Sequence, residues 1–249
     1  MLELKIGVQM STFFSSVQRV YLNIFVQFAS MSTSAKQMYP LLATQVEAKF
    51  KEEGSGHDWW HILRVVNMAR RLAREEAADE DIVALAALLH DIADHKFHGG
   101  DLEMGPQTAA ALLRQHGAAA PVVEHVVQII REVSFKGAGV ATPVSSVEAA
   151  CVQDADRLDA IGAIGIARAF AYGGSRNRLL YDPNDAPVLH DNFTAYAGSS
   201  GATINHFHEK LLLLRNRMNT SAARRIADER HAYMVEFLAQ FHSEWDGSC

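Results

Sequence analysis

Cysteine is scarce in this chain, and basic clusters are missing. The 249 residues include two cysteines, Cys151 and Cys249, whose separation is neither a metal-binding nor a redox spacing. With so few cysteines, the cytoplasm is the expected compartment. The 23 Lys and Arg residues stand against 29 Asp and Glu residues, which gives a net charge of −6. Since the basic residues form no block, we expect no nucleic-acid partner.

Long hydrophobic runs are also missing, even from the N-terminal segment whose composition differs from the rest. Polar residues interrupt residues 1–30 too often for a membrane span of about 20 residues, so we expect no membrane partner. The segment has no compact apolar region followed by a small-residue cleavage site, as a secretory signal would have. We interpret residues 1–30 as an extension outside the core and residues 31–249 as a single domain. A targeting peptide is the alternative, although Glu3 counts against it.

Strand patterns are weak throughout the chain, and apolar residues recur with the helical period. With 49% hydrophobic residues, the chain can form one sizeable core, and the predicted fold is all-α. Helices are predicted at residues 39–53, 59–77, 79–95, 102–117, 120–135, 145–174, 204–219 and 221–245. The helical stretch from residue 145 opens with a capping box of Ser145 and Glu148. Residues 175–203 are predicted to form a long irregular connection.

Histidine is concentrated in one part of the chain. Seven of the twelve histidines fall within one stretch: His57, His61, His90, His95, His98, His116 and His125. Further along, Asp154, Asp156 and Asp159 interrupt an apolar helical pattern. Imidazole and carboxylate groups bind ions such as Mn²⁺, Fe²⁺ and Zn²⁺, and a cation offsets the cost of burying carboxylates. Because a single core histidine is usually only hydrogen-bonded, the metal hypothesis depends on the joint pattern of His, His-Asp and Asp on successive helices.

That joint pattern resembles the HD superfamily of metal-dependent phosphohydrolases, whose ligands follow this order. The segment HDWWHILRV is similar to the family's first ligand segment, LLHDIAD to its second and DADRLDAIG to its last. The similarity covers most of residues 33–246, and it is greatest to bacterial HD hydrolases related to nucleotide pyrophosphohydrolases. The resemblance implies a helical bundle with one divalent ion between its helices. The implied metal ligands are His61, His90, Asp91 and Asp156.

The resemblance also assigns a catalytic residue. Asp94 follows His90 by one helical turn, at the place of a catalytic acid/base in several HD phosphohydrolases. The alternative role for Asp94 is to hold a ligand histidine in position.

Other polar residues near these motifs are candidates for substrate contacts. The candidate phosphate ligands are Arg64, Lys96 and Lys136, with ordinary solvent-exposed positions as the alternative. The sequence lacks the adjacent His-His pair of binuclear cyclic-dinucleotide enzymes, so one metal ion is expected. His95, His98 and His125 are therefore candidates for contacts with the substrate or with the metal ligands.

The expected function is that of a divalent-metal-dependent phosphohydrolase acting on nucleotides, which splits a nucleoside triphosphate into the monophosphate and pyrophosphate. Mn²⁺ is the expected activator, with Co²⁺, Ni²⁺ and Mg²⁺ as alternatives. The near alternative is a nucleoside 5′-monophosphatase or another phosphoester hydrolase. An alternative of another class is a non-catalytic nucleotide-binding regulatory module, against which the complete ligand set and Asp94 argue. The sequence is compatible with a homodimer.

Overall fold

The computed structural model describes residues 33–51, 58–93, 101–133, 140–189 and 201–249. Within these ranges there is no strand, and helices dominate, which confirms the all-α prediction. In chain order the α-helices are α1 (Ala35–Phe50), α2 (Trp59–Glu75), α3 (Glu80–Leu89), α4 (Met104–Gln115), α5 (Ala120–Val133), α6 (Val147–Asp159), α7 (Gly162–Ser175), α8 (Thr203–Glu209) and α9 (Ser221–Trp245). A 3₁₀ helix, Leu211–Arg217, lies between α8 and α9. The extension predicted at residues 1–30 lies outside the described residues.

Helix α3 is the centre of the bundle. All residues from 82 to 89 are buried, because the uninterrupted apolar run has no face suited to water. The helix accordingly packs against α1, α2, α5 and α6. Asp79 caps its start by accepting hydrogen bonds from the backbone N–H groups of Asp81 and Ile82. Of the helices in the described ranges, none is long and apolar enough to cross a membrane.

Helix α3 ends earlier than the predicted range of 79–95. Its last residue is Leu89, and residues 90–93 form turns. Lys49 from α1 donates a hydrogen bond to the Ile92 carbonyl oxygen in this turn. The early end leaves His90 as the C-terminal cap, so the buried helix places His90 and Asp91 directly at its end.

The stretch predicted as one helix over residues 145–174 consists of two helices, α6 and α7. The chain turns at Gly162, whose φ of +76° lies in the left-handed region. A Cβ atom at Gly162 would lie 2.9 Å from the Cγ atom of Arg230, so glycine satisfies both the backbone and the packing there. The start of α6 also differs from the prediction, because Ser146 rather than Ser145 caps it by accepting from the Ala149 N–H at 3.1 Å.

Helix α6 is connected to α9 through a buried carboxylate. Asp154 accepts hydrogen bonds from the backbone N–H groups of Asn219 and Thr220, at 2.9 and 2.8 Å, and from the Thr220 hydroxyl at 2.9 Å. Thr220 is in turn the N-terminal cap of α9. Asp154 therefore has a structural role, and it fixes the start of α9 on the bundle.

The turn at Gly162 generates a stability prediction. Gly162→Ala should lower the free energy of unfolding by about 1–2 kcal/mol, because a left-handed backbone costs an L-residue that much and the Arg230 side chain must also move. Gly174→Ala is the matched control in the same helix, since no heavy atom lies within 4 Å of a Cβ placed there. The control should be neutral or slightly stabilising. Urea unfolding midpoints measure both effects, and an unchanged midpoint for Gly162→Ala would contradict the prediction.

Candidate metal centre

His61 lies in the first turn of α2, where the helix cap fixes its position. Asp58 begins the helix, and its Oδ1 atom accepts a hydrogen bond from the His61 backbone N–H at 2.8 Å. The following residues on the same face, including Ile62 and Val65, are buried in the core. His61 is therefore held at the inner end of an apolar stripe, and its side chain is fully buried.

His90 and Asp91 reach the same point from the end of α3. The Nδ1 atom of His90 lies 2.7 Å from the carbonyl oxygen of Ala87. Because a carbonyl oxygen only accepts, Nδ1 carries a proton, and the lone pair of a neutral ring lies on Nε2. The Oδ2 atom of Asp91 lies 3.4 Å from the Nε2 atom of His90 and 3.4 Å from that of His61.

Asp156, in the last turn of α6, supplies the fourth group. Its Oδ1 atom lies 3.6 Å from the Nε2 atom of His61 and 3.8 Å from that of His90. Metal–ligand bonds of about 2.1 Å put neighbouring ligand atoms about 3.0–3.4 Å apart, so the observed separations need only a small contraction. Within the described part of the chain, the buried Nε2 atom of His90 has no hydrogen-bond partner. Two imidazoles and two carboxylates converging in this way fit a divalent cation.

The two carboxylates make the centre attractive to cations. Burial of the His90 ring disfavours its charged form, but the charges of Asp91 and Asp156 and the hydrogen bonds outweigh burial and raise the pKa of His90 to about 9. A ligand imidazole must be neutral to coordinate a metal. Metal binding at this centre is therefore expected to displace a proton from His90.

A further carboxylate, Asp159, lies behind His61. Its Oδ2 atom is 2.7 Å from the Nδ1 atom of His61. Arg64 donates to both carboxylate oxygens, at 2.7 and 3.0 Å, and Arg168 donates to Oδ2 at 2.9 Å. Burial acts to raise the pKa of Asp159, but the hydrogen bonds from His61 and Arg64 and the neighbouring positive charges hold it well below its usual range. Asp159 therefore stays ionised although it is buried.

The structure brings the four predicted metal ligands together and shows what two other candidates contact. Arg64, a predicted phosphate ligand, uses its Nε and Nη2 atoms to bind Asp159. His125 lies beside Ser146, 3.2 Å from its Oγ atom, at the start of α6. Ser146 is ten positions before Asp156, on the order of 15 Å along a helix, so His125 is remote from the centre. Outside the described residues lie Asp94, His95, Lys96, His98 and Lys136.

Two contributing residues were not singled out from the sequence. Arg168 contacts Asp159 from the next helix, and Lys49 holds the turn that carries His90 and Asp91. Neither residue belongs to a motif. Asp159 itself gave a weak signal, since it follows Asp156 by three positions and so lies on a neighbouring part of the same helix.

Comparisons with known proteins agree with this geometry. The family model of the HD domain matches residues 59–161. YpgQ of Bacillus subtilis is 38% identical over 207 residues, which cover 83% of this chain and 93% of YpgQ. The crystal structure of an HD-superfamily hydrolase from Bacillus thuringiensis is 39% identical, covers 86% of this chain and 99% of its own, and superposes with a TM-score of 0.66.

A crystal structure of B. subtilis YpgQ in complex with ADP is also similar, with 35% identity and a TM-score of 0.65. It covers 83% of this chain and 97% of its own. Residues 59–161, which the HD-domain model matches, include all four residues that converge in the structure. This chain therefore belongs to the HD superfamily of hydrolases.

Proposed function

We propose that this protein is a divalent-metal-dependent phosphohydrolase that acts on nucleotides and converts (d)NTP and water into (d)NMP and pyrophosphate. The observation that carries the proposal is that the Nε2 atoms of His61 and His90 each lie 3.4–3.8 Å from the carboxylates of Asp91 and Asp156. The nucleotide class is supported by similarity to YpgQ, which has been crystallised with ADP. The choice of triphosphate follows the resemblance to nucleotide pyrophosphohydrolases.

The exposure of the four ligands indicates the side from which a substrate approaches. The side chains of His61 and His90 are 0% and 2% exposed, whereas those of Asp91 and Asp156 are 16% and 30% exposed. The histidines therefore form the inner wall of the centre, and the carboxylates face the solvent. A phosphate group would enter on the carboxylate side, and its negative charge requires a cation between it and these two residues.

The four residues would hold the ion through the two Nε2 atoms and the two carboxylates. When bound, a divalent ion neutralises phosphate charge and lowers the pKa of water. We assign proton transfer to Asp94 by resemblance. In this assignment the water oxygen forms the new bond to phosphorus, Asp94 accepts the water proton, and the bond to the leaving pyrophosphate breaks.

A nucleotide screen with product analysis tests the reaction. Each (d)NTP, NDP and NMP is incubated with metal-loaded protein in H₂¹⁸O. The products are then separated and identified by mass spectrometry. Pyrophosphate and ¹⁸O-labelled monophosphate are the expected products of attack on the α-phosphorus. Release of inorganic phosphate from NMP would replace the proposal by a 5′-monophosphatase. Nucleotide binding without turnover at full metal occupancy would replace it by a regulatory module.

The proposed ligand set predicts how many metal ions the protein binds and which substitutions prevent binding. The purified protein should bind one divalent ion per protomer, lose it to a chelator, and regain activity best with Mn²⁺. His90→Ala and Asp156→Ala should each be isolated without the ion, because each removes a ligand. His125→Ala is the control, and it should retain the ion because His125 lies far from the centre. Elemental analysis measures all three; a metal-free parent protein with chelator-resistant activity would rule out the centre.

The role assigned to Asp94 predicts a different phenotype. Asp94→Asn should keep the fold and the metal but lower kcat by about 10²-fold or more, since positioned proton transfer contributes that much. Asparagine keeps the shape of the side chain but cannot accept the proton. Steady-state kinetics with elemental analysis distinguish the outcomes. A kcat within about threefold of the parent would exclude proton transfer by Asp94, and a metal-free variant would make Asp94 a ligand or a support for one.

A further inference from the structure

We infer that Asp159 is a positioning residue that fixes the orientation and tautomer of His61, and that Arg64 and Arg168 hold Asp159 in place for this task. The inference rests on the proposed metal-dependent function, and it adds a residue beyond the four ligands. It also gives Arg64 a role other than phosphate binding.

The hydrogen bonds to Asp159 fix the orientation of its carboxylate group. Its Oδ2 atom lies within 3.0 Å of three nitrogen atoms, His61 Nδ1, Arg64 Nη2 and Arg168 Nη1, and its Oδ1 atom accepts from Arg64 Nε at 2.7 Å. An ionised carboxylate accepts about four hydrogen bonds and donates none. Any rotation of the group would break contacts with at least one arginine, so the carboxylate is held in a fixed position.

A fixed acceptor determines the state of the His61 ring. Because the Asp159 oxygen only accepts, Nδ1 must carry the proton in this contact, and a neutral ring then has its lone pair on Nε2. Nε2 is the atom that faces Asp91 and Asp156, at 3.4 and 3.6 Å. Asp159 therefore selects the one tautomer of His61 that can bind a cation held by these two carboxylates.

The two ligand histidines are supported in different ways. His90 donates to the neutral carbonyl of Ala87, whereas His61 donates to an ionised carboxylate. A carboxylate that accepts from Nδ1 increases the basicity of Nε2 more than a neutral carbonyl oxygen does. Removing a hydrogen-bond partner of a ligand histidine changes metal affinity by about 10- to 100-fold. Loss of Asp159 should therefore weaken metal binding even though no ligand is removed.

Helix α6 offers a matched control for this role. Asp154 is also a buried carboxylate on α6, but among the described residues it accepts from groups of Asn219 and Thr220 at the start of α9, and neither of these is a proposed metal ligand. Asp154→Asn makes the same chemical change as Asp159→Asn in the same helix. It should lower thermal stability and leave the Mn²⁺ dissociation constant within about threefold of the parent value.

The test measures Mn²⁺ affinity by electron paramagnetic resonance of the free ion, for the parent protein, Asp159→Asn and Asp154→Asn. Asp159→Asn should bind Mn²⁺ about 10- to 100-fold more weakly. In ¹⁵N-histidine-labelled, Zn²⁺-loaded protein, the Nδ1–H signal of His61 should lie downfield in the parent and in Asp154→Asn, and move upfield in Asp159→Asn, whose neutral amide oxygen is a weaker acceptor than a carboxylate. If Asp159→Asn does not fold, Arg168→Met removes one donor from Asp159 and should weaken Mn²⁺ binding by about threefold to tenfold.

The outcomes separate this inference from the proposed function. If the parent protein binds no divalent ion, the proposed function and this inference both fail. If the parent binds Mn²⁺ while Asp159→Asn binds it equally well with the His61 signal unchanged, only the positioning role fails. Equal losses of affinity in Asp154→Asn and Asp159→Asn would also overturn the inference, because they would reflect a general weakening of α6.

Discussion

A carboxylate can stay ionised inside an apolar core only where donors or cations surround it, and helix α6 meets this constraint twice, at Asp154 and at Asp159. Asp154 is surrounded by the backbone and side-chain donors that begin α9. Asp159 is surrounded by a histidine and two arginines. The third aspartate, Asp156, is partly exposed and faces the imidazoles of His61 and His90, and the divalent cation proposed for this centre would complete its surroundings. One short helix thus attaches α9, contacts His61 and carries a proposed metal ligand, because its three aspartates point to three different neighbours.

The position of the centre follows from where the helices begin and end. His61 lies in the first turn of α2, His90 caps the end of α3, and Asp156 lies in the last turn of α6. Helices α2, α3 and α6 pack against one another over apolar faces, so their backbones are rigid close to the ligands. A ligand set on packed helices keeps its separations better than one on loops, and the apolar core behind it excludes water from the histidine side.

Local patterns were sufficient to predict most helices, and with the resemblance they named the four residues that the structure brings together. Helices α2, α5 and α9 agree with the predicted ranges to within two residues, and in α2 and α5 the apolar periodicity is strong. The division between α6 and α7 could not be predicted in the same way. It depends on the left-handed backbone of Gly162 and on its contact with Arg230 from α9, which no local pattern records. The place of His125 could not be predicted for the same reason, since only the packing of α5 on α6 shows that this histidine lies at the start of α6.

Arg64 shows why charge near a motif is weak information about a substrate. One turn after a ligand histidine, an arginine is suitably placed for a phosphate, and the sequence offers no reason to prefer a carboxylate 95 positions away. In the fold, Asp159 needs positive partners to remain ionised, and this requirement engages Arg64 and Arg168 together. Arg157 and Arg230 are likewise directed to backbone carbonyl oxygens, those of Arg217 and Leu158. These arginines thus contact buried acceptors, and in the reaction proposed above the divalent ion would neutralise the phosphate charge, with Lys96 and Lys136 as predicted phosphate ligands.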